Sequence, residues 1–307
     1  MKKIVFINGG AGRVLASIPA LEELEKRGEL GGIICEGGMD MFLGHPTLQD
    51  KAWSPDHKGL FENIIKDNLC VSPEPYRDYE YYNQRSSLQQ SFYWEIVGER
   101  TEKNIPPTLV LSKQEEMAAL NILSQIKEQH QKEKTIVIQP YGRSSTESAG
   151  IVYDQSSRSF EQNTFIELVA DLSKDYNIIY MGEHKLQVVN LPIFQPNEPV
   201  PLRVWAAVIE ASDYFIGCDS VAQHMAYAFD KPGTVILGST FAVNTTYPEH
   251  FNIIEKENIE KVYSPIRIAG FACEEADRLN DSLMDFSKDE LKTMIKNIRE
   301  HIKKTLK

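Results

Sequence analysis

Asp219 and Ser220 follow a short apolar run, Tyr214 to Gly217, and His224 comes soon after them. Small polar residues between a strand and a helix present backbone N–H groups, a hydroxyl and the partial positive charge of a helix N-terminus. That combination suits a phosphate or diphosphate. Asp and Ser also cap helices without binding anything, so capping and ligand binding both account for the pair. His224 is likewise open to two readings, an ordinary half-buried helix residue or a group facing the same pocket.

These residues need elements to hold them. Leu202 to Ala211 has helical apolar spacing, Tyr214 to Gly217 reads as a buried strand, and Cys218 to Gln223 as the turn at its carboxyl end. A second helix opens from Gln223, Lys231-Pro232-Gly233 stops it, and Thr234 to Leu237 is the next strand, followed by Gly238, Ser239 and Thr240. Upstream, Thr135 to Gln139 is a strand, Pro140 to Ser159 a loop, Asn163 to Ser173 a helix and Tyr176 to Met181 a strand. Strands alternating with helices predict a parallel sheet, and ligands of such sheets sit beyond the strands' carboxyl ends.

The opening of the chain repeats the pattern. Lys3 to Ile7 reads as a strand, Asn8 to Gly12 as a glycine loop, Val14 to Lys26 as a helix and Gly31 to Cys35 as another strand. Gly9, Gly10 and Gly12 lack the GxGxxG spacing of a dinucleotide site. Pro46 to Gly98 is irregular and rich in Tyr, Phe and Trp, which fits either a cover over the sheet or a binding face. The proline-bearing stretch Lys103 to Thr108 is the expected domain crossing, and Ser112 to Lys132 a long helix after it. The expected division is therefore residues 1–108, residues 109–285 and a terminal helix, 286–307, with a capping box at Ser287 and Glu290. That helix is a candidate to pack back on the N-terminal domain.

Length and composition bound the classes that remain. With 307 residues, 42% hydrophobic and 25% charged, the chain has the make-up of a globular protein of two domains. Its net charge of -11 disfavours a surface that coats nucleic acid. No apolar run approaches the roughly 20 residues of a membrane span, and the short stretch after Met1-Lys2-Lys3 is no signal-peptide core, so a cytoplasmic location is expected. Cys35, Cys70, Cys218 and Cys273 form no CxxC pair, and neither a metal-ligand cluster nor a DxD motif is present. No cofactor or metal is expected, and a monomer or weak dimer is.

Three places resemble glycosyltransferase family 9, the heptosyltransferase-like enzymes. They are Gly12 to Leu21, Gly44-His45-Pro46, and the long run from Ala211 to Thr240. In the last, Ala211, Asp213, Gly217, Asp219, Ser220, His224, Ala226, Ala228, Pro232, Leu237, Gly238 and Thr240 stand at the family's spacing. The resemblance implies the GT-B architecture, two Rossmann-like parallel-sheet domains facing a central cleft, with an acceptor in the first and a nucleotide sugar in the second. It implies Asp219, Ser220, Val221, Ala222 and His224 at the donor diphosphate, and Gly238, Ser239 and Thr240 near the nucleoside. Arg143 or Arg158 would neutralise the leaving nucleotide.

Two positions depart from the family. Arg13 stands where the resemblance implies the aspartate that takes the acceptor's proton, and a guanidinium cannot be that base. Val221 replaces a glycine. These changes suggest a divergent acceptor, loss of catalysis, or a base supplied from elsewhere, for which His45, Asp40 and Asp78, with Asp56, His57 and Glu80, are the candidates. Gly10, Gly12, Arg13, Arg77 and Tyr79 are candidates for the acceptor side, Arg13 as an anion contact at a helix N-terminus. The segment Pro73 to Gln84 is similar to divergent members encoded by tailed bacteriophages, for which a modified DNA base, met by Arg13, Arg77 and Arg85, is a fitting acceptor alongside a saccharide. The expected function is a metal-independent, inverting glycosyltransferase. A catalytically silent nucleotide-sugar-binding protein, or an epimerase or hydrolase of the same architecture, is the alternative.

Overall fold

The structure, a computed structural model, describes the chain apart from residues 155, 187–190, 257–260, 262–282 and 307. The chain divides after Ser112 into two units, the second beginning at Lys113 and including the C-terminal helix. Cys273 lies outside the described residues.

The first unit contains β1 (Lys3–Ile7), α1 (Ala11–Lys26), β2 (Leu30–Cys35), β3 (Ala52–Trp53), β4 (Leu69–Val71), α2 (Tyr79–Tyr82) and α3 (Leu88–Val97). Its parallel sheet has the order β3-β2-β1-β4. The central strand, KIVFI, can be apolar almost throughout because a parallel sheet is covered on both faces. Val14, Leu15, Ile18, Leu21 and Leu24 bury one side of α1, which packs against α3. Helix α3 starts on a Ser87–Gln90 capping box and stops at Gly98, whose φ of 92° suits glycine. The aromatic stretch proves to be mixed. Tyr76, Tyr81 and Phe92 are buried, whereas Tyr79, Tyr82 and Trp94 face solvent.

Strands β2 and β4 flank β1, so the crevice where the strand order reverses lies at the end of β1, beside the Asn8–Gly12 loop. Arg13 fills that place. Its Nη1 donates to Glu74 Oε1 at 3.1 Å and its Nη2 to the Pro73 carbonyl at 3.4 Å. The guanidinium also lies 5.1 Å from the Tyr76 ring centre and 5.0 Å from that of Phe92. Asn8 Nδ2 donates to the other Glu74 oxygen at 3.2 Å. Arg13 is thus a buried, neutralised structural group, and its expected role as a contact for an anionic acceptor does not hold.

The second unit contains α4 (Lys113–His130), β5 (Thr135–Gln139), a hairpin of β6 (Thr146–Ser148) and β7 (Ile151–Tyr153), α5 (Gln162–Leu172) and β8 (Asn177–Tyr180). It continues through α6 (Leu202–Ala211), β9 (Tyr214–Gly217), α7 (Val221–Ala228), β10 (Gly233–Leu237), α8 (Ala242–Thr245), β11 (Asn252–Glu255) and α9 (Lys288–Thr305). The five-stranded parallel sheet runs β11-β10-β9-β5-β8, and β5, β8, β9 and β10 are buried throughout. Helix α9 has its expected capping box. Its buried stripe, Leu291, Met294, Ile298 and Ile302, joins the core of this second unit, and Arg299 pairs with Asp171 and Asp175. The helix therefore completes the second unit. Among the described residues, no helix is long and apolar enough to cross a membrane.

Removing one member of a buried ion pair strands the other charge, at a cost of about 3–5 kcal/mol, whereas an apolar replacement of both is close to neutral. Arg13→Ala is expected to lower the urea-unfolding free energy by that order. Arg13→Met combined with Glu74→Leu is expected to recover most of the loss. A single variant as stable as the wild type would contradict the structural role given to Arg13.

Candidate functional site

In the second sheet, β5 lies between β8 and β9, so the order reverses at the β5–β9 boundary, where Gln139 is in register with Gly217. Beyond that boundary lie Pro140 to Gly142 on one side and Cys218 to Ser220 on the other. Ser220 is the N-cap residue of α7, yet its side chain makes no capping bond. The cap comes from the neighbouring strand. Gln139 Oε1 accepts from the Ala222 N–H at 3.1 Å, which satisfies a helix-end donor and leaves the Ser220 hydroxyl uncommitted to the helix. The same bond occupies the Ala222 amide within the protein.

Valine in place of glycine at 221 does not disturb the turn. Ser220 is extended, with φ of -153°, Val221 is the first helical residue, and neither has a positive φ. No glycine is needed there on conformational grounds. At Gly142 a side chain's first carbon would meet only ordinary contacts. A Cβ placed on it would stand 3.6 Å from Ser220 Oγ and 3.7 Å from Ser159 Oγ, and its own N–H donates to Ser159 Oγ at 2.9 Å.

The loop around this turn is organised by Asp154. Its carboxylate accepts from Ser144 Oγ at 3.0 Å, from the Ser156 N–H and Oγ at 2.8 and 2.5 Å, and from the Ser159 N–H and Oγ at 3.2 and 2.6 Å. Burial alone would raise the Asp154 carboxyl; the bonds from Ser156 and Ser159, with the nearby Arg158 charge, outweigh it and hold the group below the usual carboxylate range. The anchored loop positions Arg158, which reaches Ser156 Oγ and Ser144 Oγ, both at 3.2 Å. Its Nη1 stands 3.9 Å from Asp219 Oδ2, while Asp219 Oδ1 accepts from Gln223 Nε2 at 3.0 Å. Arg143 is exposed in its turn and makes no ion pair among the described residues. Of the two arginines expected near the phosphates, Arg158 is the one at the α7 end.

Strand β10 closes the third side. A Cβ on Gly238 would fall 2.1 Å from the Ser157 carbonyl, so only glycine lets the Asp154 loop lie against this strand. The Ser239 N–H donates to the Ser157 carbonyl at 3.0 Å and the Ser239 hydroxyl to the Ser156 carbonyl at 2.5 Å. Thr240 Oγ1 is buried and has no hydrogen-bond partner among the described residues. His224 is buried behind the turn, its Nδ1 2.7 Å from Tyr247 Oη, and Tyr247 stacks on Tyr227 at 3.7 Å. Burial lowers its pKa to about 4, so it is neutral at physiological pH and braces α7 from behind.

The first unit disperses its candidates. His45 Nδ1 accepts the Thr47 and Leu48 amides at 3.3 and 3.2 Å, which puts the ring proton on Nε2, 3.1 Å from Glu22. Asp78 caps α2 and forms a two-pronged pair with Arg100 at 2.5 and 2.6 Å. Burial would raise the Asp78 carboxyl, but Arg100 and Ser91 hold it lower, ionised and occupied. Neither is free to take a proton, and both are withdrawn as base candidates. Asp40 is exposed. Its loop is fixed on the glycine loop, where Glu36 accepts the Gly9 N–H at 2.9 Å and Gly38 lies against Ala11 so closely that a Cβ would meet its Cα at 2.5 Å. Gly10 caps α1, Gly12 lies in that helix's first turn, and Arg77 and Tyr79 are exposed on the surface. Among the described residues no group of His, Cys, Asp and Glu side chains is arranged to hold a metal ion.

Gln139, Asp154 and Ser159 were not foreseen from sequence. The signal for Gln139 was a polar residue ending an otherwise apolar strand, TIVIQ, and for the others the serine-rich run around Asp154.

No protein-family model matches the chain, and no curated protein matches it. Solved structures do. A glycosyl transferase family 9 protein of Veillonella parvula is 13% identical with a TM-score of 0.67, covering 99% of this chain and 97% of that one. The ADP-heptose lipopolysaccharide heptosyltransferase II of E. coli is 11% identical with a TM-score of 0.64, each chain covered in full at 100%. The iron-containing dodecameric heptosyltransferase TibC, in a structure with ADP-D-beta-D-heptose, is 13% identical with a TM-score of 0.62, covering 99% of this chain and 76% of that one. The chain has the heptosyltransferase-like fold of family 9, with Rossmann-like parallel-sheet domains of the GT-B class.

The His224 ring adds a pH dependence whose sign follows from its depressed pKa. In the unfolded chain the imidazole titrates near its ordinary value of about 6.5, so below that pH the unfolded state binds the extra proton. Stability present above pH 6.5 is lost as the pH falls toward about 4, by on the order of 3 kcal/mol, and is flat below. Urea unfolding of wild type and His224→Phe between pH 7 and 4 is expected to show a shallower decline in the variant. Equal slopes would show that the ring is not buried as a neutral group.

Proposed function

We propose that the chain is a glycosyltransferase that takes a sugar from a nucleotide-diphosphate donor held at the start of α7. The observation that supports this most is the Ser220 turn. It sits at the switch point of the second sheet with an uncommitted hydroxyl, a helix N-terminus capped from the side, and Arg158 beside it. Each of these groups favours negative charge. The likeness to a heptosyltransferase structure that holds ADP-heptose supports the same donor class.

In the reaction the acceptor oxygen bonds to the anomeric carbon as the carbon–oxygen bond to the diphosphate breaks, which inverts that carbon. The electron pair leaves with the nucleoside diphosphate, and the acceptor proton passes to a base. Fixed donors at Ser220 and Val221, with Arg158, meet the charge that grows on the diphosphate, a task that needs no metal ion. Gly238, Ser239 and Thr240 border the nucleoside side. Of the base candidates, Asp40 is exposed and stands on a loop braced against the glycine loop, and it is assigned the proton. The acceptor is assigned as a saccharide hydroxyl, because Arg13, the strongest support for a DNA base, is spent on Glu74.

Incubation with ADP-heptose and UDP-sugars against a panel of saccharide acceptors, in excess EDTA, is expected to give a transfer product of inverted configuration by mass spectrometry and NMR. Asp40→Asn is expected to lower kcat about 10²- to 10⁴-fold with donor KM little changed. Donor binding without any transfer across the panel would make the chain a silent binding protein.

A further inference from the structure

The described residues hold one more cation at the carboxyl edge of the second sheet, beyond the motif residues. Lys261 has only 6% of its side chain exposed. Its Nζ donates to the Thr240 carbonyl at 2.8 Å, pairs with Glu255 Oε2 at 3.2 Å and lies 5.8 Å from the Phe241 ring centre. An ammonium carries three N–H bonds. Two are directed at these acceptors, and the third has no acceptor among the described residues. Thr240 Oγ1 and Glu255 Oε1, beside it, are also buried without hydrogen-bond partners among the described residues.

A buried ammonium is costly unless its charge is met. Here burial lowers the Lys261 pKa, while Glu255 and Asp219 pull it back up, so Lys261 and Arg158 act on the same Asp219 carboxylate. Arg158 arrives on the Asp154 loop and Lys261 from beyond β11. The Asp219 carboxylate therefore lies in the field of two cations and next to a helix N-terminus, and an anion entering there would meet both cations.

We propose that Lys261 is a phosphate-binding residue that receives the diphosphate of the nucleotide donor through its third N–H, with Glu255 as the carboxylate that competes with the diphosphate for its charge. The inference rests on the nucleotide-sugar reading and adds a residue to it. The diphosphate charge is then shared by Arg158, Lys261 and the α7 end. The two side chains come from different segments of the chain, so neither alone defines the subsite.

Calorimetric titration of ADP, UDP and their parent nucleosides into wild type, Lys261→Met and Glu255→Gln tests it. Lys261→Met is expected to weaken diphosphate binding about 10- to 100-fold and leave nucleoside binding unchanged. Glu255→Gln keeps the ammonium and releases it from its competitor, so diphosphate binding is expected to tighten severalfold. Diphosphate affinity equal to wild type in Lys261→Met, an equal loss for nucleosides and diphosphates, or weaker diphosphate binding in Glu255→Gln would overturn the inference while leaving the donor reading intact. A wild type that binds no diphosphate would overturn both.

Discussion

The hydrogen bond from the Ala222 amide to Gln139 Oε1 joins the first turn of α7 to the end of β5. Its net worth is on the order of 1 kcal/mol, small beside the whole, but its consequence is geometric. A helix that must cap itself spends its N-cap side chain on its own amides. Capped from the neighbouring strand, α7 keeps Ser220 Oγ uncommitted to it, and the Gly142 N–H donates to Ser159 Oγ. Asp154 does for the facing loop what Gln139 does for the helix, gathering three serines around one ionised carboxylate. The serine-lined turn is therefore held by two polar side chains that do not themselves belong to the binding surface.

The two sheets use their switch points in opposite ways. In the second unit the crevice presents donors and a helix end. The equivalent crevice of the first unit is filled by Arg13, whose charge is met by Glu74 and whose guanidinium lies over the rings of Tyr76 and Phe92. A buried ion pair of this kind adds little net stability, because desolvation offsets its attraction, but it is expensive to break. Arg13 thus comes with a partner acid on the β4 side and an aromatic bed, so this end of the first sheet is a packed polar core.

Much of this was legible in the sequence, and the misses have physical causes. Strands such as TIVIQ and YFIG were read within a residue or so, because burial on both faces writes an unbroken apolar run. The turn between β9 and α7 was also legible, since turn chemistry is local. Strand β11 is half-buried at the sheet edge and leaves no such run. Helix α9 showed its capping box and its stripe, but periodicity does not say which core a stripe enters. The fates of Arg13, His45 and Asp78 depended on Glu74, Glu22 and Arg100, partners that sequence distance conceals. Lys261 was invisible for the same reason. A lone lysine looks like a surface residue until the strand ends around it are placed.

The central claim is that a nucleoside diphosphate occupies the switch point of the second sheet. Backbone amide chemical shifts recorded while ADP is added test it most directly. Saturable shifts concentrated at Gly142, Ser220, Val221 and Ser239, with the β1–α1 loop unmoved, are the expected result. Shifts confined to the first unit, or none at the start of α7 at saturating nucleotide, would contradict it.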